Sequence, residues 1–173
     1  MQFTETTQAG NHTPFSANGA VDHADDRDLA AQWSALGEDS RRQFERVFEA
    51  MVEQLFGVGQ AAREAIEAGS FAYEGATAVV RLDPHSYMVE FFYDAGQPHP
   101  HFESEDFRKL LQFNLCRAYP GIIFGVHPES GRMVATSSMP IFALTDAQIG
   151  LLLLEDLHGA VRDALEQGGI VVS

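Results

Sequence analysis

Between residues 44 and 56 the apolar positions Phe44, Val47, Phe48, Met51, Val52, Leu55 and Phe56 recur at three- and four-residue spacing, with Glu45, Arg46, Glu49 and Glu53 between them. That is the period of one helix face, and it predicts an amphipathic helix with Asp39 or Ser40 as its cap. Gly57 and Gly59 interrupt it, and residues 60–68 read as a second, more polar helical stretch ending before Gly69. β-branched and aromatic runs follow at 77–82 and 86–93, joined by the turn residues Asp83, Pro84 and His85, with a short strand at 70–73 ahead of them. Residues 95–101 have loop composition. A further helix is predicted from Ser104, a good N-cap followed by Glu105 and Asp106 where the helix dipole favours acids. It carries Phe107, Leu110, Leu111, Leu115 and Ala118 and stops before Pro120 and Gly121. Residues 122–126 and 132–137 form another strand pair around a Pro128–Gly131 turn, and 139–144 a short additional strand. The last helix opens on a capping-box pattern, Thr145 to Gln148, runs through Ile149, Leu152, Leu153, Leu157, Val161 and Leu165, and ends at Gly168 and Gly169. Antiparallel hairpins separated by single helices predict an α+β fold, a twisted antiparallel sheet with three main helices in the order α-β-β-β-α-β-β-α. Residues 28–173 form one domain in this reading, and residues 1–27, polar and without period, a disordered leader.

Charge narrows the partners. The 173 residues hold 11 Lys+Arg against 25 Asp+Glu, a formal net charge of −14. Ten of the basic residues are Arg, and Lys109 is the only lysine. Phosphate binding needs clustered cations, so nucleic acid is not expected as a partner. The single cysteine, Cys116, closes an apolar stretch and is expected to be a buried, inert thiol. No basic-then-apolar leader and no apolar run of about 18 residues is present, so a cytoplasmic location without membrane insertion is expected.

Candidate chemistry is sparse. His99 and His101, with His85 and Glu103 nearby, form a His-x-His pattern that some zinc sites use, but no third or fourth ligand stands at a diagnostic spacing. A metal-dependent enzyme built on His99 and His101 is therefore a distant alternative. Asp22, His23, Asp25 and Asp26 read as solvated charge. Gly57 and Gly59 lack the rest of a dinucleotide fingerprint. Ser137 and Ser138 lie in no nucleophile elbow, and Glu103, Glu105, Asp106, Glu155 and Asp156 fall on exposed helix faces. The expectation is no catalysis, no cofactor and no metal. What stands out is apolar surface. The first-helix stripe is wide, and the second strand is apolar on both faces, with Tyr87, Val89, Phe91 and Tyr93 on one and Met88 and Phe92 on the other. Either both faces are core, or one meets a partner.

Several stretches of the second half fall in a recognisable order. Leu110-Leu111-Gln112-Phe113-Asn114 closes a helix; Tyr119-Pro120-Gly121-Ile122-Ile123-Phe124-Gly125-Val126 follows, then Gly131-Arg132-Met133-Val134-Ala135-Thr136, then Pro140-Ile141-Phe142-Ala143-Leu144-Thr145 before the final helix. This resembles the class I type III secretion chaperones, the Tir-chaperone family, over residues 40–166. The resemblance implies a cytoplasmic homodimer that binds the N-terminal region of secreted effectors in virulence and keeps it extended and export-competent, with no cofactor. It also implies the secretion ATPase among the partners. Carried onto this chain, it places the effector on Phe44, Phe48, Met51, Leu55 and Phe56 with Phe91 and Phe92 of the strand pair. It places the dimer interface on Leu111, Leu115, Met133, Val134, Ala135 and Thr136. A YbjN-like dimeric binding domain of the same fold, without a secretion role, is the alternative.

Overall fold

The structure is a computed structural model that describes residues 23–96 and 104–170, with side chains from Ser34 onward. Five strands, β1 (Ser70–Tyr73), β2 (Ala76–Asp83), β3 (Met88–Gly96), β4 (Ile122–Val126) and β5 (Met133–Pro140), form one antiparallel sheet in the order β1-β2-β3-β5-β4. Four helices accompany it: α1 (His23–Phe56), α2 (Gln60–Ala68), α3 (Ser104–Leu115) and α4 (Ala147–Gly168). The fold is α+β as the hydrophobic pattern predicts, with the polar stretch at 60–68 adding α2 to the three main helices.

Strand alternation decides where the core lies. Side chains two apart share a face, and the register lines up Ala78, Tyr93, Ala135 and Phe124 in one row across four strands. All four are buried, as are Val80, Phe91 and Ser137 in the next row. From the helix side come Val47, Phe48, Met51 and Val52 of α1, Leu110 of α3, and Leu154, Leu157, Val161 and Ala164 of α4. The alternate row, Val79, Phe92, Thr136 and Ile123, lies on the opposite face and stays partly exposed or exposed. The sheet is therefore covered on one face only.

Four expectations change. α1 begins at His23, so Ser40 is a buried mid-helix residue and not a cap. Residues 23–39 contain no proline, and Leu29, Trp33 and Leu36, at i, i+4 and i+7, continue the downstream stripe more sparsely among polar residues. Helix thus occupies 23–27, within the span read as leader, and residues 1–22 lie outside the described set. The stretch 139–144 is not a strand: β5 runs on to Pro140, and Ile141–Ala143 is a 3₁₀ turn. Gln43 Nε2 donates to Ile141 O and Leu144 O, both at 3.0 Å, which ties that turn to α1. The cap of α4 is Asp146, whose side chain accepts from Ile149 N–H at 3.2 Å, in place of Thr145. Finally Cys116 is exposed, because it falls in the turn just past α3 where the chain leaves the core.

The far end of α4 is closed by a Schellman arrangement. Gly169 takes a left-handed φ of 62°, and Ile170 N–H bonds Leu165 O at 2.9 Å. The chain's one lysine, Lys109, reaches from α3 to the Gly168 carbonyl at 2.7 Å, placing a cation at the negative end of the α4 dipole.

α1 and α4 meet at Gly150, where an added methyl would overlap the end of the fully buried Met51 side chain. Nothing stands within 4 Å of the same position on Gly159, in the same helix. Gly159→Ala should therefore show the helix-propensity gain alone, about 0.5–1 kcal/mol of added stability. Gly150→Ala should be net destabilising by about 1–2 kcal/mol, because overpacking outweighs that gain. Urea unfolding of the two variants beside the parent checks both signs.

Candidate interaction surfaces

The β2–β3 connection forms a longer turn than its Asp-Pro-His sequence suggests. Asp83 organises it: its carboxylate accepts from the His85 backbone N–H at 3.0 Å and from Ser86 Oγ at 2.5 Å. The Ser86 hydroxyl, then the His85 amide, hold that carboxyl below its ordinary range. Tyr87 closes the turn with a left-handed φ of 55°, uncommon for an aromatic residue. It is held there from both sides, by Tyr87 N–H to Asp83 O at 3.0 Å and Ile141 N–H to Tyr87 O at 2.9 Å. Tyr87 is thus a turn residue and does not share the strand face of Val89 and Phe91.

This turn and α1 enclose an apolar groove of about 410 Å³. α1 lines it with Gly37, Arg41, Phe44 and Glu45, β2 with Val80, Arg81 and Leu82, and the turn with Pro84 and Tyr87. Gly37 faces the tyrosine, and a methyl there would stand 3.6 Å from Tyr87 Oη, an ordinary van der Waals contact. Phe44 joins the groove to the core, its ring stacked on Phe48 at 5.7 Å between centroids. Arg41 stands at its rim, paired with Glu45 at 2.8 Å, while the Arg81 side chain turns to the opposite face of the sheet and pairs there with Glu90 at 2.6 Å.

The residues assigned by resemblance to client contact are dispersed. Phe44 walls the groove. Phe48, Met51 and Phe91 are core residues, at 4%, 0% and 0% exposure, because the same apolar stripe that marks α1 is what packs it on the sheet. Leu55 is half-buried, and Phe56 sits at the end of α1 with its ring edge-on to Phe71 at 6.1 Å. Phe92 lies on the helix-free face beneath the Arg81 guanidinium, 4.7 Å from the ring centre. No single exposed stripe on α1 gathers these side chains. A Phe48→Glu substitution would bury a charge in the core and test folding instead of binding.

The dimer set divides the same way. Leu111 and Leu115 are exposed on α3, at 59% and 82%, and Ile123 is exposed on the helix-free face of β4 at 62%. Val134 and Thr136 lie on the helix-free face, whereas Met133 and Ala135, their alternates along β5, point inward and are fully buried. The hydrophobic pattern does not mark Gly37 or Arg41; it reads Leu82 and Tyr87 as strand residues on either side of the Asp83–His85 turn, without bringing them to α1.

No metal site is formed among the described residues, where no group of three or more His, Cys, Asp or Glu side chains converges. His99, His101 and Glu103 lie outside the described residues, and His85 stands exposed in the β2–β3 turn. Among the described residues no helix is long and apolar enough to cross a membrane.

One polar pair is built into the core. Tyr93, buried on β3, has its hydroxyl 2.8 Å from His158 Nδ1 on α4 and 3.4 Å from the Tyr73 carbonyl. Desolvation of the phenolate, with Glu74 and Tyr73 adding negative potential, raises the Tyr93 pKa above its ordinary 10.0. The unfolded chain then loses this proton at lower pH than the folded chain. The resulting stability is complete below the ordinary tyrosine range and is lost as pH rises through the folded value. Tyr93→Phe should lower the melting temperature at about pH 8, where the hydroxyl bond is missing, and flatten the decline between about pH 9.5 and 11. Thermal melts across that range read both effects.

The chain matches one in the structure of the HopA1-SchA chaperone-effector complex with 13% identity and a TM-score of 0.53, covering 73% of this chain and 97% of that one. It also matches a chain in the crystal structure of the ExsC-ExsE complex, at 15% identity and TM-score 0.46 over 58% and 84% of the two chains. A third match is the Yersinia pestis type III secretion chaperone SycH in complex with a stable fragment of YscM2, at 15% identity and TM-score 0.42 over 69% and 98%. The first of these shares the fold. No protein-family model and no curated protein matches the chain by sequence.

Proposed function

We propose that this protein is a type III secretion chaperone that binds the N-terminal region of a secreted effector in the cytoplasm and keeps it extended, acting as a homodimer without catalysis, metal or cofactor. The observation that carries the reading is the apolar groove between α1 and the β2–β3 turn, on a fold also found in a solved chaperone-effector complex. An extended chain loses conformational entropy on binding and recovers it by burying apolar side chains. A groove walled by Phe44, Val80, Leu82, Pro84 and Tyr87 supplies that burial, and Arg41 supplies a polar contact at its mouth.

The second element of the proposal is the dimer. Phe107, Leu111 and Leu115 recur every four residues along α3 and are all exposed, which is uncommon for three large apolar side chains on one helix face of a monomer. A symmetric pair brings each patch against its copy, since a two-fold interface is self-complementary. Of the β5 residues assigned to the interface, Val134 and Thr136 are the ones on the accessible helix-free face, while Met133 and Ala135 are buried in the protomer.

The client is first identified by mass spectrometry of the protein that co-purifies from the native cell, and its N-terminal peptide is then titrated calorimetrically. Tyr87→Gly relieves the left-handed backbone while deleting the groove wall. It should leave the circular-dichroism melt within a few degrees of the parent and weaken peptide binding by about ten- to a hundredfold. Undiminished affinity in that folded variant places the client elsewhere.

For the dimer, Leu115→Glu changes an exposed side chain and should alter monomer stability by less than about 0.5 kcal/mol. Light scattering should give twice the 19.0 kDa chain mass for the parent and the single mass for the variant. A parent of single mass at micromolar concentration removes the dimer.

A further inference from the structure

The sheet has two edge strands, β1 and β4, and the chain treats them differently. Edge strands present unpaired N–H and C=O groups that a further strand can join. On β4 the parity of those groups follows from the register: His127 N–H donates to Arg132 O at 2.8 Å. Gly125 and Ile123, two and four residues earlier, therefore turn their backbone groups toward β5, and Ile122, Phe124 and Val126 turn theirs outward. β4 is also the edge that most invites pairing. Its sequence Ile-Ile-Phe-Gly-Val is apolar, β-branched and uncharged, with Ile123 exposed on the helix-free face.

The outward groups at the middle of this edge are taken. Asn114, in the last turn of α3, donates from Nδ2 to the Phe124 carbonyl at 2.8 Å and accepts at Oδ1 from the Phe124 N–H at 2.9 Å. A primary amide offers a donor and an acceptor side by side, as a peptide unit of a neighbouring strand does. The Ile122 N–H is taken as well, by Tyr119 O at 3.1 Å. Beneath these bonds Phe113, Tyr119 and Phe124 pack as a ring cluster with centroids 5.5–6.2 Å apart, which fixes the α3–β4 connection and with it the reach of Asn114. At the other edge, Val80 N–H bonds Gly69 O at 3.4 Å, so Ser70 and Ala72 of β1 face outward. Among the described residues no side-chain amide is set against them.

We propose that Asn114 is an edge seal. By standing in for one peptide of a sixth strand, it keeps β4 from pairing with the β4 edge of a second copy, and it leaves β1 as the open edge of the sheet. The proposal does not depend on what the protein binds. It also supplies a role for the asparagine at the end of the Leu110–Asn114 stretch.

The test is Asn114→Leu, which is close in size and has neither donor nor acceptor, set beside Phe113→Leu, which trims the ring cluster and keeps the amide. In Asn114→Leu, exchange of the Phe124 amide hydrogen should rise on the order of tenfold, while the Ile123 and Gly125 amides, bonded to β5, stay protected. Its mass by light scattering should climb with concentration to at least about double that of the parent. Phe113→Leu should keep the parent's mass even where its melt falls as far. The proposal is overturned if folded Asn114→Leu keeps the parent's mass at every concentration, or if Phe113→Leu associates equally, since loss of stability would then explain both. Should Asn114→Leu not fold, Asn114→Ser, too short to reach Phe124, is read by the same two measurements with the same outcomes.

Discussion

The close approach of α1 and α4 at Gly150 is the contact on which the rest of the architecture depends. Only a residue without a side chain lets Met51 lie against α4 while both helices stay on the same face of the sheet. With α1, α3 and α4 committed to that face, the strands bury one row of side chains and leave the other bare. The core of the molecule and its free surface are thus two consequences of one packing decision.

The groove and the helix-free face are products of that arrangement. α1 is far longer than the sheet it crosses, so the part of it around Gly37–Phe44 overhangs the β2–β3 turn. The turn responds with a strained Tyr87 held by hydrogen bonds at both ends. Strain of this kind costs of order 1–3 kcal/mol and persists only where the surroundings enforce it. Here the enforcing bonds come from Asp83 within the turn and from Ile141 across the fold, and Gln43 secures Ile141 to α1 in turn. The same few residues therefore hold the helix, the 3₁₀ turn and the groove wall together.

Charge plays a smaller part than the net of −14 suggests. Most of the ion pairs are exposed and join neighbours on one helix, such as Arg41 with Glu45 and Arg108 with Glu105, and such pairs contribute little to stability. The cations that matter structurally are few and placed across elements: Lys109 on the α4 terminus, Arg132 on Asp94 at the β3 bulge, and Arg81 between Glu90 and Phe92. The surplus of acid is left to solvent, where it favours solubility for a chain that also exposes Leu111, Leu115 and Ile123.

Apolar spacing alone determined most of the elements here: the amphipathic part of α1, the five strands, and α3 and α4 with their glycine and proline stops. That follows because a period of 3.6 or 2 is a local property of the chain. It missed the first half of α1, where Leu29, Trp33 and Leu36 continue the stripe only sparsely among polar residues, and it read the 3₁₀ turn after Pro140 as strand. What the tertiary structure decided is which apolar surface is used up. A stripe containing Phe44, Phe48 and Met51 states that one helix face leaves water, and it does not state what covers that face. In the fold, the sheet reaches Phe48 through Phe71, α4 covers Met51 at Gly150, and Phe44 is left walling the groove. Alternation along β5 likewise separates Val134 and Thr136 from Met133 and Ala135, but only the placement of the helices decides which pair is core. Burial is a property of the assembled neighbours, and those neighbours are distant in sequence: Gly37 with Tyr87, Met51 with Gly150, Asn114 with Phe124.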